Sequence, residues 1–281
     1  LMPKSEAYWR WKHIENPFGA SPVLLAEEDG ILIGVRAFMR WEWTDGKQHY
    51  QAVRAVDTAT HPDYQGKGIF KKLTLGLVET CQQQGVHFVF NTPNQQSRPG
   101  YIKMQWRDAG RLPVRFKLVT PLHKWMIKSN PSFVNKPCAD WLRDVELTKD
   151  QHVSLHTPIA TNYLRWRYAT VPVAQYFVLT NGIESVVYRL KINRWGKEFR
   201  ITDCFHQGEK LSVVMQQQLS RQASLQGARV ITSSGIVTGL TGGMVLQQGP
   251  QVTVRNLNYN DFESLIAFKN WSPTLGDLEL F

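Results

Sequence analysis

Thr58-Ala59-Thr60-His61-Pro62-Asp63-Tyr64-Gln65-Gly66-Lys67-Gly68-Ile69-Phe70-Lys71-Lys72-Leu73 holds a strand end, a glycine-rich turn and the opening of an amphipathic helix in one short stretch. Glycines without Cβ atoms let successive backbone N–H groups converge. A helix N-terminus adds unpaired donors and partial positive charge. Together they suit a phosphate, with Lys67, Lys71 and Lys72 adding charge. The same residues also suit a plain strand–turn–helix connection with a solvated lysine cluster. The Gly-x-x-x-x-Gly-Lys-Ser/Thr spacing of a Walker loop and the Gly-x-Gly-x-x-Gly of a dinucleotide fold are both missing.

Outward from this stretch, the pattern predicts an α/β unit with a mixed sheet. A helix spans about 5–15. Strands span 22–28, 31–43 and 48–60, with hairpin signals at Asp29-Gly30 and Asp45-Gly46. After the loop come a helix (69–84), a strand (86–91), a short helix (94–105) and strands near 110–120. The unit then recurs. Tyr8-Trp9-Arg10-Trp11-Lys12 reappears as Tyr163-Leu164-Arg165-Trp166-Arg167, Arg40-Trp41 as Arg194-Trp195, and Asp57 is matched with Asp203. The predicted organisation is a first domain over 1–125, a proline-bearing bridge over 126–160, and a second, degenerate unit over 161–281. In place of the glycine loop the second unit has Cys204-Phe205-His206-Gln207-Gly208-Glu209-Lys210. The stretch from Gly239 to Met244 reads as a turn, and the tail from Trp271 to Phe281 as packing back over the acceptor cleft.

The 281 residues carry 33 Lys and Arg against 23 Asp and Glu, a net charge of +10. That balance admits a polyanionic small molecule, nucleic acid or an anionic membrane. The basic residues are dispersed, without the interleaved aromatic stripe of a nucleic-acid binder. No apolar run reaches the roughly 18 residues of a membrane span. Cys81, Cys138 and Cys204 are too scattered for a disulfide frame or a zinc site, so no metal is expected. The start, Leu1 to Trp11, lacks a signal-peptide core, and a cytoplasmic setting is expected.

The loop resembles the pyrophosphate loop of the GNAT acyltransferase superfamily. Pro62, Gln65, Gly66, Gly68 and Ile69 match, and Phe70 departs where Gly or Ala is commonest. Downstream, Asn94, Tyr101 and Gln105-Trp106 are similar to the family's Asn, Tyr and Gly-Phe positions, with the glycine lost. The resemblance covers about 5–120 and implies two tandem GNAT-like units, similar in outline to mycothiol synthase or protein N-myristoyltransferase. It implies direct transfer of an acetyl group from acetyl-CoA to a primary amine of a small-molecule acceptor in a ternary complex. Thr58, Ala59 and Thr60 would pair with pantetheine. Gln65, Gly66, Lys67, Gly68, Ile69 and Phe70 would hold the pyrophosphate, and Asn94 the pantetheine arm. Tyr101 would bind beside the sulfur and act as general acid. The base candidates are Asp57, His61 and His87. Trp9, Trp11, Trp41, Trp43 and Trp106 either line an acceptor pocket or pack the core. The alternatives are a longer acyl-CoA donor, or a non-catalytic acyl-CoA sensor.

Overall fold

The computed structural model describes residues 5–145, 154–194, 196–208, 210–236 and 239–278. Trp195, Glu209 and the last three residues of the tail lie outside the described residues. Among the described residues thirteen strands form two mixed sheets. The strands are β1 (Val23–Glu28), β2 (Ile31–Thr44), β3 (His49–Thr60), β4 (Phe88–Asn91), β5 (Arg107–Arg111), β6 (Val114–Leu118), β7 (Val134–Pro137), β8 (Phe177–Thr180), β9 (Ser185–Asn193), β10 (Gly196–Phe205), β11 (Ala228–Ser234), β12 (Met244–Leu246) and β13 (Gln251–Asn256). Three helices frame the first sheet: α1 (Glu6–His13), α2 (Ile69–Gln83) and α3 (Arg98–Lys103).

The first sheet runs β1-β2-β3-β4-β13-β5. The second, read from β8, runs β8-β9-β10-β11-β6-β12, with β7 added outside β8. The two orders are the same. In each, the third and fourth strands pair in parallel and the rest pair antiparallel. In each, one strand comes from the other half of the chain. β13 enters between β4 and β5, and β6 enters between β11 and β12. Of the strands expected near 110–120 to finish the first unit, only β5 does so. Leu112 and Pro113 follow β5, and the next strand crosses to the second sheet.

Local sequence accounts for the hairpins. Asp29 and Gly30 adopt φ of 50° and 79° between β1 and β2, as a tight hairpin turn needs. Between β2 and β3, the Asp45 carboxylate accepts from the Lys47 and Gln48 amides, and Gly46 has φ 82°. Helix α2 buries Thr74, Leu77, Val78 and Cys81 at helical spacing. It lies close to the sheet because Gly34 on β2 has no side chain: a Cβ there would sit 2.7 Å from Ile69.

The repeated tryptophans meet across the two halves. Trp11 donates to the Trp166 carbonyl at 2.8 Å, and Trp166 donates to the Trp11 carbonyl at 2.7 Å. The two rings stack with centroids 4.6 Å apart and planes 9° apart. Equivalent residues making the same bond to each other mark a pseudo-two-fold relation. Trp11, Trp41, Trp43 and Trp106 are all buried, so these four pack the core.

β-Bulges refine the internal alignment. In the first sheet Ala37 pairs with Val56 and Arg36 with Thr58, so Asp57 is the extra residue. In the second sheet Tyr188 pairs with Ile201 and Val187 with Asp203, so Thr202 is the extra residue. Register therefore matches Asp57 with Thr202, in place of the Asp203 expected from sequence, and it matches Arg36 with Val187.

In both sheets the parallel strands part. β3 pairs with β4 only through Ala52, Val53 and Arg54, which leaves residues 55–60 unpaired with β4. β10 pairs with β11 only as far as Arg200. The second gap is filled by the chain itself. Ser234, at the end of β11, donates to the Pro273 carbonyl at 3.1 Å, and a Cβ at Gly276 would lie 2.6 Å from the Asp203 carboxylate. A cavity of only about 30 Å³ remains beside Asp203, Thr274 and Asp277. Residues 273–277 thus pack in the second gap, whereas the sequence reading expected the tail over the acceptor cleft.

Asp203 accepts from the Tyr168 hydroxyl. Burial, and then Asp277, push its carboxyl up to about 7. Between the ordinary carboxylate value and about pH 7 the folded state keeps a proton that the unfolded chain has lost. The resulting stability is full below about pH 4 and fades as pH rises to about 7. Melting temperatures of wild type and Asp203→Asn are expected to show this. From about pH 5 to about pH 7 the wild type loses several degrees relative to the variant, and above about pH 8 the difference stays constant. A difference independent of pH would contradict this assignment.

Candidate active site

In the first sheet Thr58 and Ala59, beyond the last pair with β4, are exposed, and the loop expected to bind phosphate follows directly after β3. After β3, Pro62–Tyr64 form one turn of 3-10 helix, and Gln65 is extended. Gly66 and Gly68 then take φ of 79° and 80°. A Cβ built on either meets nothing within 4 Å, so both face open space. Gly68 is the N-cap of α2, with no side-chain cap bond and no acidic residue in the first turn. An anion fits such a donor-rich, uncapped end. Lys67 lies over the Tyr64 ring at 4.2 Å.

The corresponding helix in the second unit, Val213–Leu225, begins differently. Ser212 caps it, accepting from the Met215 amide at 3.1 Å. The Glu184 carboxylate accepts from the Ser212 amide at 2.6 Å. An internal anion and a side-chain cap therefore occupy that end.

Behind the gap lies a cluster centred on Tyr101. The Tyr101 ring is 4% exposed and packs edge-on against Phe70, with centroids 5.7 Å apart. Trp106 packs against the same ring, with centroids 5.3 Å apart. Phe70, the departure from the family pattern, thus packs into this cluster. The Tyr101 oxygen accepts from Arg36 at 2.6 Å, and Arg36 also donates to the Val56 carbonyl. Nothing in the sequence pattern singled out Arg36. One isolated arginine in a strand gives no signal until the strand register is known.

Asn94 accepts from the Ser97 amide at 2.8 Å and the Ser97 hydroxyl at 2.9 Å, which fixes the turn before α3. It is exposed, and its amide group is not used in these bonds. Gln105 has φ 70°, in the left-handed region. That explains why glycine is usual at this position and why a glutamine there is strained. Gln105→Gly is expected to raise stability by about 0.5–1 kcal/mol, read from urea midpoints at unchanged slope. An unchanged or lower midpoint would mean that the turn carries no strain.

Asp57 sits in a pocket of about 130 Å³ lined by Ser5, Glu6, Tyr8, Trp9, Lys12 and His13. Its Oδ2 is 2.7 Å from Lys12 Nζ and 3.0 Å from His13 Nε2, and His13 Nδ1 lies 2.9 Å from the Ser21 hydroxyl. Tyr8 is buried, and its hydroxyl has no hydrogen-bond partner among the described residues. Burial, and then Asp57, push that phenol up to about 12. Lys12 and His13 were not singled out from sequence, because their tie to Asp57 depends on α1 folding over the bulge. Of the other base candidates, His61 caps the turn after β3 by accepting from the Asp63 amide, and His87 faces the Gln51 carbonyl at 3.3 Å. Neither touches the Asp57 pocket. Among the described residues no group of three or more His, Cys, Asp or Glu side chains could hold a metal ion. No described helix is long and apolar enough to cross a membrane.

Comparison with known proteins finds similarity over part of the chain. Residues 2–109 match the family model described as acetyltransferase (GNAT) domain. This match is confined to the part of the chain that holds the glycine loop and the Tyr101 cluster. Over 66 residues it is 36% identical to the L-amino acid N-acyltransferase MnaT of Escherichia coli (strain K12). It is equally similar to the L-methionine sulfoximine/L-methionine sulfone acetyltransferase of Salmonella typhimurium (strain LT2). Each match spans 24% of this chain and 37% of the relative. The fold extends further. The structure of a GCN5-related N-acetyltransferase from Anabaena variabilis superimposes with a TM-score of 0.60 at 16% identity, covering 91% of this chain and 66% of that one. A probable N-acyltransferase from Enterococcus faecalis V583 superimposes with a TM-score of 0.60 at 13% identity, covering 85% and 63%.

Proposed function

We propose that the protein transfers an acetyl group from acetyl-CoA to a primary amine of a small acceptor, using one coenzyme site per chain. The carrying observation is the contrast between the two helix N-termini. The end at Gly66 and Gly68 is uncapped and faces open space, whereas the end at Ser212 is closed by its own cap and Glu184. The coenzyme-binding unit is residues 1–125, followed by a bridge over 126–160 and a degenerate GNAT-like unit over 161–281, with β6 and β13 exchanged between them.

In this reading Gln65, Gly66, Lys67, Gly68, Ile69 and Phe70 present backbone donors to the pyrophosphate. The free edge of Thr58, Ala59 and Thr60 and the amide of Asn94 take the pantetheine arm. The rate gain comes mainly from holding amine and thioester together. The acceptor nitrogen attacks the thioester carbonyl carbon, the carbon–sulfur bond breaks, and Tyr101 gives its proton to the leaving sulfur. Asp57 draws the acceptor ammonium into the pocket beneath α1 and takes its proton, with His13 and Ser21 next in line. The pocket combines the Asp57 carboxylate, cationic Lys12 and the unpaired Tyr8 hydroxyl. A small zwitterion suits it, and both curated relatives carry amino-acid names.

The test is an acceptor screen beginning with α-amino acids, read by free-thiol release from acetyl-CoA. Tyr101→Phe is expected to keep acetyl-CoA affinity within about threefold and to lower kcat at least about 100-fold, the scale of a lost general acid. Unchanged kcat would remove Tyr101 from the chemistry. Tight acetyl-CoA binding without transfer to any amine would favour a sensor.

A further inference from the structure

We propose that Arg36 is a positioning residue for Tyr101: by donating to the phenol oxygen, it leaves the phenol's own proton to be aimed at the coenzyme sulfur. The proposal rests on the coenzyme reading of the first unit.

Arg36 is 1% exposed on β2. Its guanidinium lies over the rings of Phe38, Phe70 and Tyr101 at 5.0, 5.5 and 5.7 Å. Among the described residues no ion pair involves it, and its buried Nε has no hydrogen-bond partner. Taking a cation out of water without a carboxylate in direct contact is costly. Burial accordingly pulls the guanidinium below its ordinary value, opposed first by Tyr101 and then by the field of Asp57. A fold that needed only to fill this space would use an apolar side chain. The chain itself supplies that comparison, because the register-equivalent position in the second sheet is Val187, fully buried. The charge is thus present in the unit with the open loop and absent from the unit whose gap is filled.

The geometry fixes a direction for the proton. A phenol oxygen that accepts from Arg36 Nη2 cannot donate back to that nitrogen. When the carbon–sulfur bond breaks, the sulfur takes the electron pair and the Tyr101 proton. The phenolate left behind faces the Arg36 cation until the proton lost by the acceptor nitrogen replaces the one donated, through solvent. Phe70 and Trp106 both pack against this ring.

The test compares binding of CoA and desulfo-CoA, which differ only at the sulfur, and needs no acceptor. Calorimetry on the full chain is done for wild type, Arg36→Met, Arg36→Lys, Tyr101→Phe and the double variant Arg36→Met with Tyr101→Phe. The wild type is expected to prefer CoA about tenfold, the scale of one well-placed hydrogen bond. Arg36→Met and Tyr101→Phe should each bring that preference close to one while leaving desulfo-CoA affinity within about threefold. The double variant should lose nothing further, because both act through one bond. Arg36→Lys should restore part of the preference.

A preference that survives Arg36→Met, or losses that simply add in the double variant, would overturn the proposal. So would equal weakening of both ligands, which is what a purely structural arginine produces. If Arg36→Met does not fold, Arg36→Lys combined with Tyr101→Phe gives the same cycle, and additive losses again overturn it. Failure of wild type to bind either CoA or desulfo-CoA would instead refute the coenzyme reading, and this proposal with it.

Discussion

Gly68→Glu is expected to abolish acetyl-CoA binding while leaving the protein folded. Gly68 has φ 80° and is the N-cap of α2. A side chain there is strained by about 1–2 kcal/mol. It meets nothing within 4 Å, so no packing is broken. The added carboxylate sits at the positive end of the helix, where it occupies the place of an incoming phosphate and repels it. The expected loss is at least about 100-fold in affinity, equivalent to about 2.7 kcal/mol. Gly85→Glu is the matched control. Gly85 has φ 75° and also faces open space, but it lies past the other end of α2. It carries the same backbone strain and should leave the affinity unchanged. Equal losses in the two variants would mean that strain, and not the loop's anion site, is being measured.

Trp11→Ala is expected to have the largest effect on stability. It empties a fully buried site, which in large-to-small substitutions costs about 3–5 kcal/mol. It also removes the indole donor to the Trp166 carbonyl and the stacked face of Trp166. The melting temperature should fall by roughly 10 °C, at 2–4 °C per kcal/mol for a chain of this size. The transition should remain single, because β6 and β13 are each built into the other half's sheet, so neither half unfolds alone. Trp166→Ala should match it. Two separated transitions in either variant would contradict this interlocking.

The parts of the fold set by local chemistry are visible in the sequence. Asp29-Gly30 and Asp45-Gly46 mark real hairpins, and Gln65 to Gly68 lie between β3 and α2 as expected. The tryptophan repeat also points to a real equivalence, since Trp11 and Trp166 bond to each other. What sequence could not show depends on pairing across long separations. The crossing of β6 and β13 leaves no local trace, because a strand's pattern does not name its neighbour. The bulge shifts register by one residue, which is why Asp57 lines up with Thr202 and not Asp203. Arg36, Lys12 and His13 each stand in a strand or helix where a charge is ordinarily solvated, and only the folded chain encloses them. Gln105 is a related case: its departure from glycine is visible in the sequence, but its strain appears only as φ.

The most direct measurement is the stoichiometry of acetyl-CoA binding to the wild-type chain by titration calorimetry. One site per chain is the predicted result. It would match an open loop at Gly66 and Gly68 and a closed end at Ser212 and Glu184. Two sites would contradict the closure of the second unit. No binding to a folded protein would contradict the coenzyme site altogether.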